Sequence, residues 1–144
     1  TNPSPKPAIS PLNIGMWKLL YTDYSPAGPS SGKLGPFIGD VYQKLEPELN
    51  RITNILQVAV PPIEGSLTAK QTILDDKTWR IAFERVENSI AGIPLPSITF
   101  PLDGQEGSQV RLWKYTYLDN DLRILRAGRE HDNPEEFLFI TIKA

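Results

Sequence analysis

Polar and apolar residues alternate with a period of two along most of the chain beyond Ile14, a spacing typical of β-strands with one buried face. The clearest run lies between residues 51 and 60, and Pro61 and Pro62 end it because proline cannot donate to a strand ladder. The predicted inward face of this run carries Ile52, Asn54, Leu56, Val58 and Val60. A second run places Trp79, Ile81 and Phe83 together on one face.

The same pattern predicts about nine short strands with turns at nearly even spacing. Their expected ranges are 14–22, 41–45, 51–60, 67–74, 79–84, 90–102, 110–118, 122–126 and 137–142. The first is apolar on both faces around Lys18 and is expected to be buried on each side. Range 90–102 contains several prolines and is expected to form an irregular edge strand.

Glycine, proline and acidic residues predict the connections between these strands. Ranges 25–36 and 127–135 are expected to be loops, with one helical turn allowed near residues 35–40. Tight turns are expected at 75–77 and at 119–121. Residues 1–13 contain four prolines and are expected to form an extended strap, with residues 14–144 as one barrel domain.

Successive hairpins favour an all-β fold: an antiparallel up-and-down barrel of about eight to nine strands with little helix. Closing the sheet removes exposed strand edges. With about eight strands, the interior is either filled by side chains or holds one small ligand.

The net charge, the absence of cysteine and the length of the apolar runs limit which partners are expected for this chain. The net charge of -2 gives no field that would attract nucleic acid, so none is expected as a partner. There is no cysteine and therefore neither a disulfide nor a thiolate metal site. No apolar run is long enough to span a membrane, so a soluble or peripheral protein is expected, with any lipid contact made by a pocket or a surface.

Several segments resemble, in order along the chain, the plastid lipid-associated proteins of the PAP/fibrillin family. Residues 15–22, GMWKLLYT, are similar to the G-x-W-x-L-x-Y-T opening strand of that family, and residues 2–5, NPSP, resemble its preceding strap. Residues 39–43 and 93–96 resemble its next strand and its proline-rich middle segment. The most specific match is 116–126, TYLDNDLRILR, after which residues 137–140 stand where the closing strand is expected.

The resemblance implies a lipocalin-like barrel in chloroplasts or cyanobacteria, associated with thylakoids or lipid globules such as plastoglobules. It also implies a hydrophobic partner, namely a lipid, a carotenoid, a quinone or another isoprenoid. Some members of the family act as structural coats or bind partner proteins.

Trp17 is expected at the closed end of the barrel, where Gly15 allows a neighbouring segment to approach. In lipocalin-like folds a basic residue from the last strands commonly covers this Trp. Arg126 is the first candidate and Arg123 the second, with a cation–π attraction of roughly 0.5–2 kcal/mol. In the alternative, Trp17 is ordinary core and both arginines pair with Asp119 or Asp121.

Ligand pockets combine apolar walls with a few polar groups, and the inward faces predicted above have that composition. The same composition describes any packed core. The candidate ligand contacts are Trp17, Tyr21, Ile52, Asn54, Leu56, Val58, Trp79, Ile81, Phe83, Phe100, Trp113 and Arg126. The segment from Ile93 to Phe100 is a further candidate for contact with a lipid surface or partner protein.

Motifs for catalysis and for cofactors are weak. The 119–121 turn lacks the glycine of a calcium loop, and Lys33 is not followed by the Ser or Thr of a phosphate loop. His131 is the only histidine, and no G-x-S-x-G elbow precedes it. We therefore expect no cofactor, no metal and no catalytic residue.

Three hypotheses follow from these observations. The first is non-enzymatic binding of a hydrophobic ligand in the barrel. The second is a structural or interaction module with a solid barrel that docks on lipid globules, thylakoids or a protein. The third, an enzyme acting on a lipid inside the barrel, would require an ionisable residue with a perturbed pKa in a cavity, and Glu84, Arg85 and Glu87 instead resemble a solvated strand face.

Overall fold

The computed structural model describes residues 3–24, 31–34, 37–99, 110–129 and 136–144. Within these ranges the chain is almost entirely β-structure. The strands are β1 (Gly15–Thr22), β2 (Lys33–Leu34), β3 (Phe37–Ile38), β4 (Asp40–Glu46), β5 (Arg51–Val58), β6 (Ile63–Asp75), β7 (Thr78–Ile90), β8 (Ile93–Pro94), β9 (Ile98–Thr99), β10 (Val110–Leu118), β11 (Leu122–Arg129) and β12 (Glu136–Lys143).

Eight strands form a single antiparallel sheet that closes on itself. In chain order they are β1, β4, β5, β6, β7, β10, β11 and β12; each pairs with the next, and β12 pairs with β1. The predicted all-β fold with an up-and-down, barrel-like ring is therefore confirmed. β8 and β9 pair with β7 beside the ring, while β2 and β3 form a separate two-stranded sheet.

The ring has two distinct ends. The N-terminal residues 3–13, which we call the strap, pack against the end where β1 begins, and we name this the strap end. The Ala8 amide donates to the Asp76 carbonyl at 2.8 Å, and the Ser4 hydroxyl donates to the Leu118 carbonyl at 2.8 Å. The opposite end, where β1 ends at Thr22, is called the far end. These bonds fix the strap across the hairpins that close the strap end.

The strap is not extended throughout, contrary to the prediction. It forms two short 3-10 turns, Pro7–Ile9 and Pro11–Asn13, each with proline in its first turn. Proline suits that position because it has no N–H that would be left without a partner. Asn13 is fully buried and donates from Nδ2 to the Pro7 carbonyl at 2.6 Å, which holds the two turns together.

Several strands are longer than the hydrophobic pattern indicates. β6 and β7 each cover 13 residues, and their connection is the turn predicted at 75–77, where Asp75 accepts the Lys77 amide at 2.9 Å. β11 continues into the segment predicted as a loop, because Ala127 and Gly128 pair with Phe137 and Glu136 of β12. Sheet pairing satisfies their backbone groups although the side chains give no alternating signal.

Other local predictions are wrong for the described residues. Lys33 and Leu34 pair with β3 instead of lying in a loop, and the helical turn near residues 35–40 is replaced by β3 and the start of β4. Val60 does not share the inward face of β5, since that strand ends at Val58 and Val60 is 85% exposed. The expected edge strand at 90–102 is present only as β8 and β9, and residues 100–102 lie outside the described chain.

β1 is not buried on both sides, because a bulge changes the direction of its side chains. Leu19 pairs with Thr141 but Tyr21 pairs with Ile140, so Leu20 is the extra residue. Beyond a bulge the alternation shifts by one position. Leu20 and Tyr21 are consequently 57% and 54% exposed, while Leu19 faces inward with Trp17.

No helix in the described part of the chain is both long and apolar enough to cross a membrane.

Candidate functional site

Three tryptophans fill the interior at the strap end. Trp17, Trp79 and Trp113 are each at most 5% exposed, and the rings of Trp79 and Trp113 stack with centroids 6.4 Å apart. The strap provides acceptors for two of the indole N–H groups: Trp17 donates to the Asn13 carbonyl at 3.0 Å and Trp79 to the Ala8 carbonyl at 2.7 Å. Buried indoles need such partners. The three tryptophans and the strap therefore close the strap end with a packed layer, which we call the floor.

Arg123 lies fully buried in the middle of this floor. Its guanidinium carbon is 5.2 Å from the Trp17 ring centroid, 5.6 Å from that of Trp113 and 6.0 Å from that of Tyr115. Nε donates to the Thr141 hydroxyl at 3.1 Å, and Nη2 donates to Oε1 of Gln43. These contacts join β1, β4, β10, β11 and β12 through one side chain.

The basic residue that covers Trp17 is thus Arg123, the second candidate, and the expectation for Arg126 is wrong. Arg123 and Arg126 are separated by an odd number of positions, so they point to opposite faces of β11. Arg126 is exposed on the outside, next to Lys114 and Leu138 in the sheet register. The alternative in which the arginines pair with Asp119 or Asp121 is not seen for Arg123, since its hydrogen bonds go to Gln43 and Thr141.

Lys143 is a second cation beside Trp17. Its Nζ lies 4.7 Å from the ring centroid and donates to the Ile14 carbonyl. Burial, together with the nearby Arg123 charge, lowers the pKa of Lys143. Gly15 has a φ of +112°, a conformation that side chains rarely adopt, and a Cβ there would lie 3.2 Å from the Lys143 Nζ.

The electrostatics of the floor are unusual, because no carboxylate of the described chain pairs with Arg123. Burial lowers the pKa of Arg123 and raises that of Tyr115, whose ring faces the guanidinium. The Tyr115 hydroxyl and the Arg123 guanidinium also interact with each other, by charge and by a side-chain hydrogen bond. The floor thus contains a buried cation that is stabilised by aromatic faces and by neutral side chains.

The interior toward the far end is apolar and less tightly closed. Val41, Leu56, Val58 and Ile63 form a buried cluster separate from the floor, and Leu19 packs against both. Several apolar side chains that pack against the floor cluster are only half-buried. These are Leu19, Tyr24, Phe83 and Phe137. The ring therefore has a solid floor and an apolar upper half that keeps contact with solvent.

Most of the predicted ligand contacts do face inward, but at different heights. Trp17, Ile52, Trp79, Ile81 and Trp113 belong to the floor cluster. Leu56 and Val58 lie in the buried cluster toward the far end, and Asn54 is buried on the same face of β5. Phe83 is half-buried, and the guanidinium of Arg111 lies 5.5 Å from its ring centroid. Tyr21 and Arg126 point outward, and Phe100 lies outside the described residues.

Four inward residues of the interior, Leu19, Gln43, Tyr115 and Thr141, were not predicted from the sequence. Tyr115 follows Trp113 at the strand period, so alternation along β10 could have identified it. Leu19 was obscured by the bulge, and Gln43 and Thr141 are polar residues that give no apolar signal although both are buried.

A groove lies at the rim of the far end, next to Val58 and Ile63 of the interior cluster. Its volume is about 610 Å³, and its lining includes Ile38, Val58, Pro62, Ile63 and Glu64. Large apolar side chains are exposed around it, among them Val60 at 85% and Ile93 at 66%. Polar groups on its lining are Asp40, Gln57 and Ser89. The arrangement is suited to weak, largely apolar contact.

The acidic turn at residues 119–121 is the turn of the β10–β11 hairpin. Asp119 Oδ1 accepts the amides of Asp121 at 2.8 Å and Leu122 at 2.7 Å, and Oδ2 accepts the Tyr117 hydroxyl at 2.6 Å. Among the described residues no group of His, Asp and Glu side chains is arranged to hold a metal ion. The Asp119 carboxylate is engaged in the turn.

Asp119→Asn should reduce the acid sensitivity of the fold. The Tyr117 hydroxyl and the two amides lower the pKa of Asp119 below its ordinary value of 3.8. A carboxyl with a lowered pKa stabilises the native state above its unfolded value and loses that contribution as the pH falls through the folded value. The melting temperature of the wild type should exceed that of the variant at neutral pH, and the difference should vanish in strong acid. A difference that is independent of pH would contradict this assignment.

Comparison with known proteins gives one match. The family model described as PAP_fibrillin matches residues 1–131. The searches of curated proteins and of solved structures returned no match.

Proposed function

The chain belongs to the PAP/fibrillin family, a family of plastid lipid-associated proteins, and from this premise we propose that it binds a hydrophobic small molecule without catalysing a reaction. The ligand is a lipid, carotenoid, quinone or other isoprenoid held in the upper half of the ring. Association with thylakoids or plastoglobules, in a chloroplast or a cyanobacterial cell, is part of the same proposal.

The observation that carries this proposal is the difference between the two halves of the interior. The floor is closed by the three tryptophans and the strap, whereas Leu19, Phe83 and Phe137 are only half-buried in the upper half. Exposed apolar side chains on an inner wall are favourable sites for an apolar ligand, because burial gains about 25 cal/mol per Å². Asn54 and Arg111 are polar groups on the same inner wall that could orient the ligand.

The catalytic alternative has less support. Among the described residues, the ionisable groups of the interior with perturbed pKa values are Tyr115, Arg123 and Lys143, which all lie in or beside the floor. Glu84, Arg85 and Glu87 are exposed on the outside of β7, where Arg85 and Glu87 form an ion pair at 2.8 Å. A reaction on a lipid would need a general acid or base in the upper half, and the charged side chain on that wall is Arg111, whose guanidinium stays protonated.

Leu19→Asn should weaken binding of an apolar ligand by about tenfold or more, since it places an amide on the inner wall between floor and upper cluster. The measurement is uptake of β-carotene, a plastoquinone analogue and palmitate methyl ester by the purified protein, followed by native mass spectrometry and by quenching of Trp fluorescence.

Leu20→Asn is the matched control, because Leu20 occupies the bulge and is 57% exposed on the outside of β1. This variant should bind like the wild type. If the wild type takes up none of the three probes, or if both asparagine variants lose binding equally, the proposed internal site is wrong.

A second candidate function is docking on a lipid surface or a protein without an internal ligand. The specific observation is the outer face of β11 and β12, where the register brings apolar side chains together on the solvent side. They are Leu122, Ile124, Leu138, Ile140 and Ile142, each half-buried. Flotation of the wild type with triacylglycerol droplets in the absence of any ligand uptake would favour this function over the first.

A further inference from the structure

The groove at the rim of the far end carries negative charge. Asp40 and Glu64 both line it, and both are exposed. Among the described residues of its lining there is no lysine or arginine. Lys18, which is not part of the lining, has its Nζ 3.8 Å from the Asp40 carboxylate, and since both side chains are exposed this ion pair is weak and leaves the carboxylate accessible.

The sheet register places the polar groups of the groove in one row. Asp40 lies opposite Gln57 of β5, Gln57 opposite Glu64 of β6, and Glu64 opposite Ser89 of β7. Neighbouring strands are about 4.8 Å apart, so the two strands that carry the carboxylates are about 10 Å apart, with Gln57 between them. The row therefore offers hydrogen-bond acceptors from four successive strands.

Apolar side chains from three separate segments stand beside this row. Val60 is 85% exposed in the connection between β5 and β6, and Ile93 is 66% exposed at the start of β8. Ile38 of β3 lines the groove and is 79% exposed. Large apolar side chains that are exposed close together mark an interaction surface.

We propose that this groove docks a segment of a partner protein that presents an arginine between aliphatic residues, with the guanidinium over Gln57 and between Asp40 and Glu64. This docking site is separate from the ring interior and goes beyond the proposed function.

Charge favours this partner over a lipid surface. The two carboxylates would repel anionic head groups, and an uncharged lipid surface would remove water from Asp40 and Glu64 without supplying a donor. A guanidinium brings the opposite charge and five N–H donors in one plane, which is enough for both carboxylates and the Gln57 carbonyl. The aliphatic neighbours of the arginine would then lie against Ile38, Val60 and Ile93.

The test uses two blocked pentapeptides, Ser-Leu-Arg-Leu-Ser and the same peptide with citrulline in place of arginine. Citrulline has nearly the same shape and no charge. NMR titrations of the ¹⁵N-labelled protein at low ionic strength should give a dissociation constant for the arginine peptide about fivefold or more below that of the citrulline peptide. The shifted amide signals should include Gln57, Glu64 and Ser89, and the preference should shrink at high salt, which screens exposed charges.

Glu64→Gln should reduce the preference for the arginine peptide to about twofold or less, because one of the two carboxylates is lost. Glu48→Gln is the matched control, since Glu48 is an exposed glutamate at the strap end, between β4 and β5, and this variant should keep the full preference. Val60→Ser should weaken both peptides by a similar factor, about twofold to threefold, because it removes apolar contact without changing the charge.

Three results would overturn the proposal. The first is equal affinity for the two peptides, or binding of neither. The second is a full preference for the arginine peptide in Glu64→Gln. The third is flotation of the wild type with phosphatidylcholine vesicles that is lost in Val60→Ser, which would assign the groove to a lipid surface. Uptake of an apolar ligand by the ring interior is measured separately and does not depend on these results.

Discussion

Trp17→Ala should destabilise the protein by about 3–5 kcal/mol, the range for removing a large aromatic side chain from a packed core. Trp17 is 0% exposed, contacts Arg123 and Lys143 and donates to the strap through the Asn13 carbonyl. The substitution therefore removes core packing, two cation–π contacts and one tie between strap and ring. Urea unfolding followed by circular dichroism measures the change.

Trp17→Phe is the control for this prediction. It keeps an aromatic ring near both cations but cannot donate to Asn13, so the loss should be clearly smaller than for alanine. Equal losses in the two variants would mean that the strap hydrogen bond, and not the packing of the floor, dominates the contribution of Trp17.

Arg123→Ala should cost about 2–4 kcal/mol, because it leaves a cavity between three aromatic rings and removes the donor for Oε1 of Gln43. The positive charge itself contributes little to this loss, since no carboxylate of the described chain pairs with it and its desolvation is unfavourable. The free energy of unfolding, obtained from urea titrations, provides the measurement.

Arg123→Met separates volume from charge. Methionine refills most of the cavity with a flexible apolar side chain and removes the buried cation, so its stability should lie within about 1 kcal/mol of the wild type. A loss as large as that of Arg123→Ala would show that the guanidinium stabilises the fold through its charge.

The strand series could be predicted from the sequence because it depends on local patterns, and closure was favoured because a closed sheet has no exposed edges. Alternation along β5 and β7 and acidic turns at 75–77 and 119–121 specify successive antiparallel hairpins. An odd–even pattern is a property of each strand by itself, and a short turn forces its two strands to pair. The inward positions of Ile52, Leu56, Trp79 and Trp113 followed directly.

The identity of the floor cation could not be predicted in the same way. β11 is equally apolar on its two faces, with Leu122 and Ile124 on the face of Arg126 and Leu125 and Ala127 on the face of Arg123. The hydrophobic pattern of β11 therefore does not show which of its faces points into the ring. The register between β11 and β12 decides which arginine is enclosed. It places Arg123 opposite Thr141 and Leu125 opposite Phe139, and these residues face the interior of the closed sheet.

The sequence by itself determined a series of antiparallel strands with one apolar face each and short turns between them, a pattern that favours a closed barrel. Only the tertiary structure decided that a bulge at Leu20 turns Tyr21 outward, that Arg123 and not Arg126 is enclosed, and that the floor is solid while the upper half stays partly open. The physical reason is that alternation is set within a strand, whereas bulges, register and packing depth depend on contacts between residues far apart in the chain.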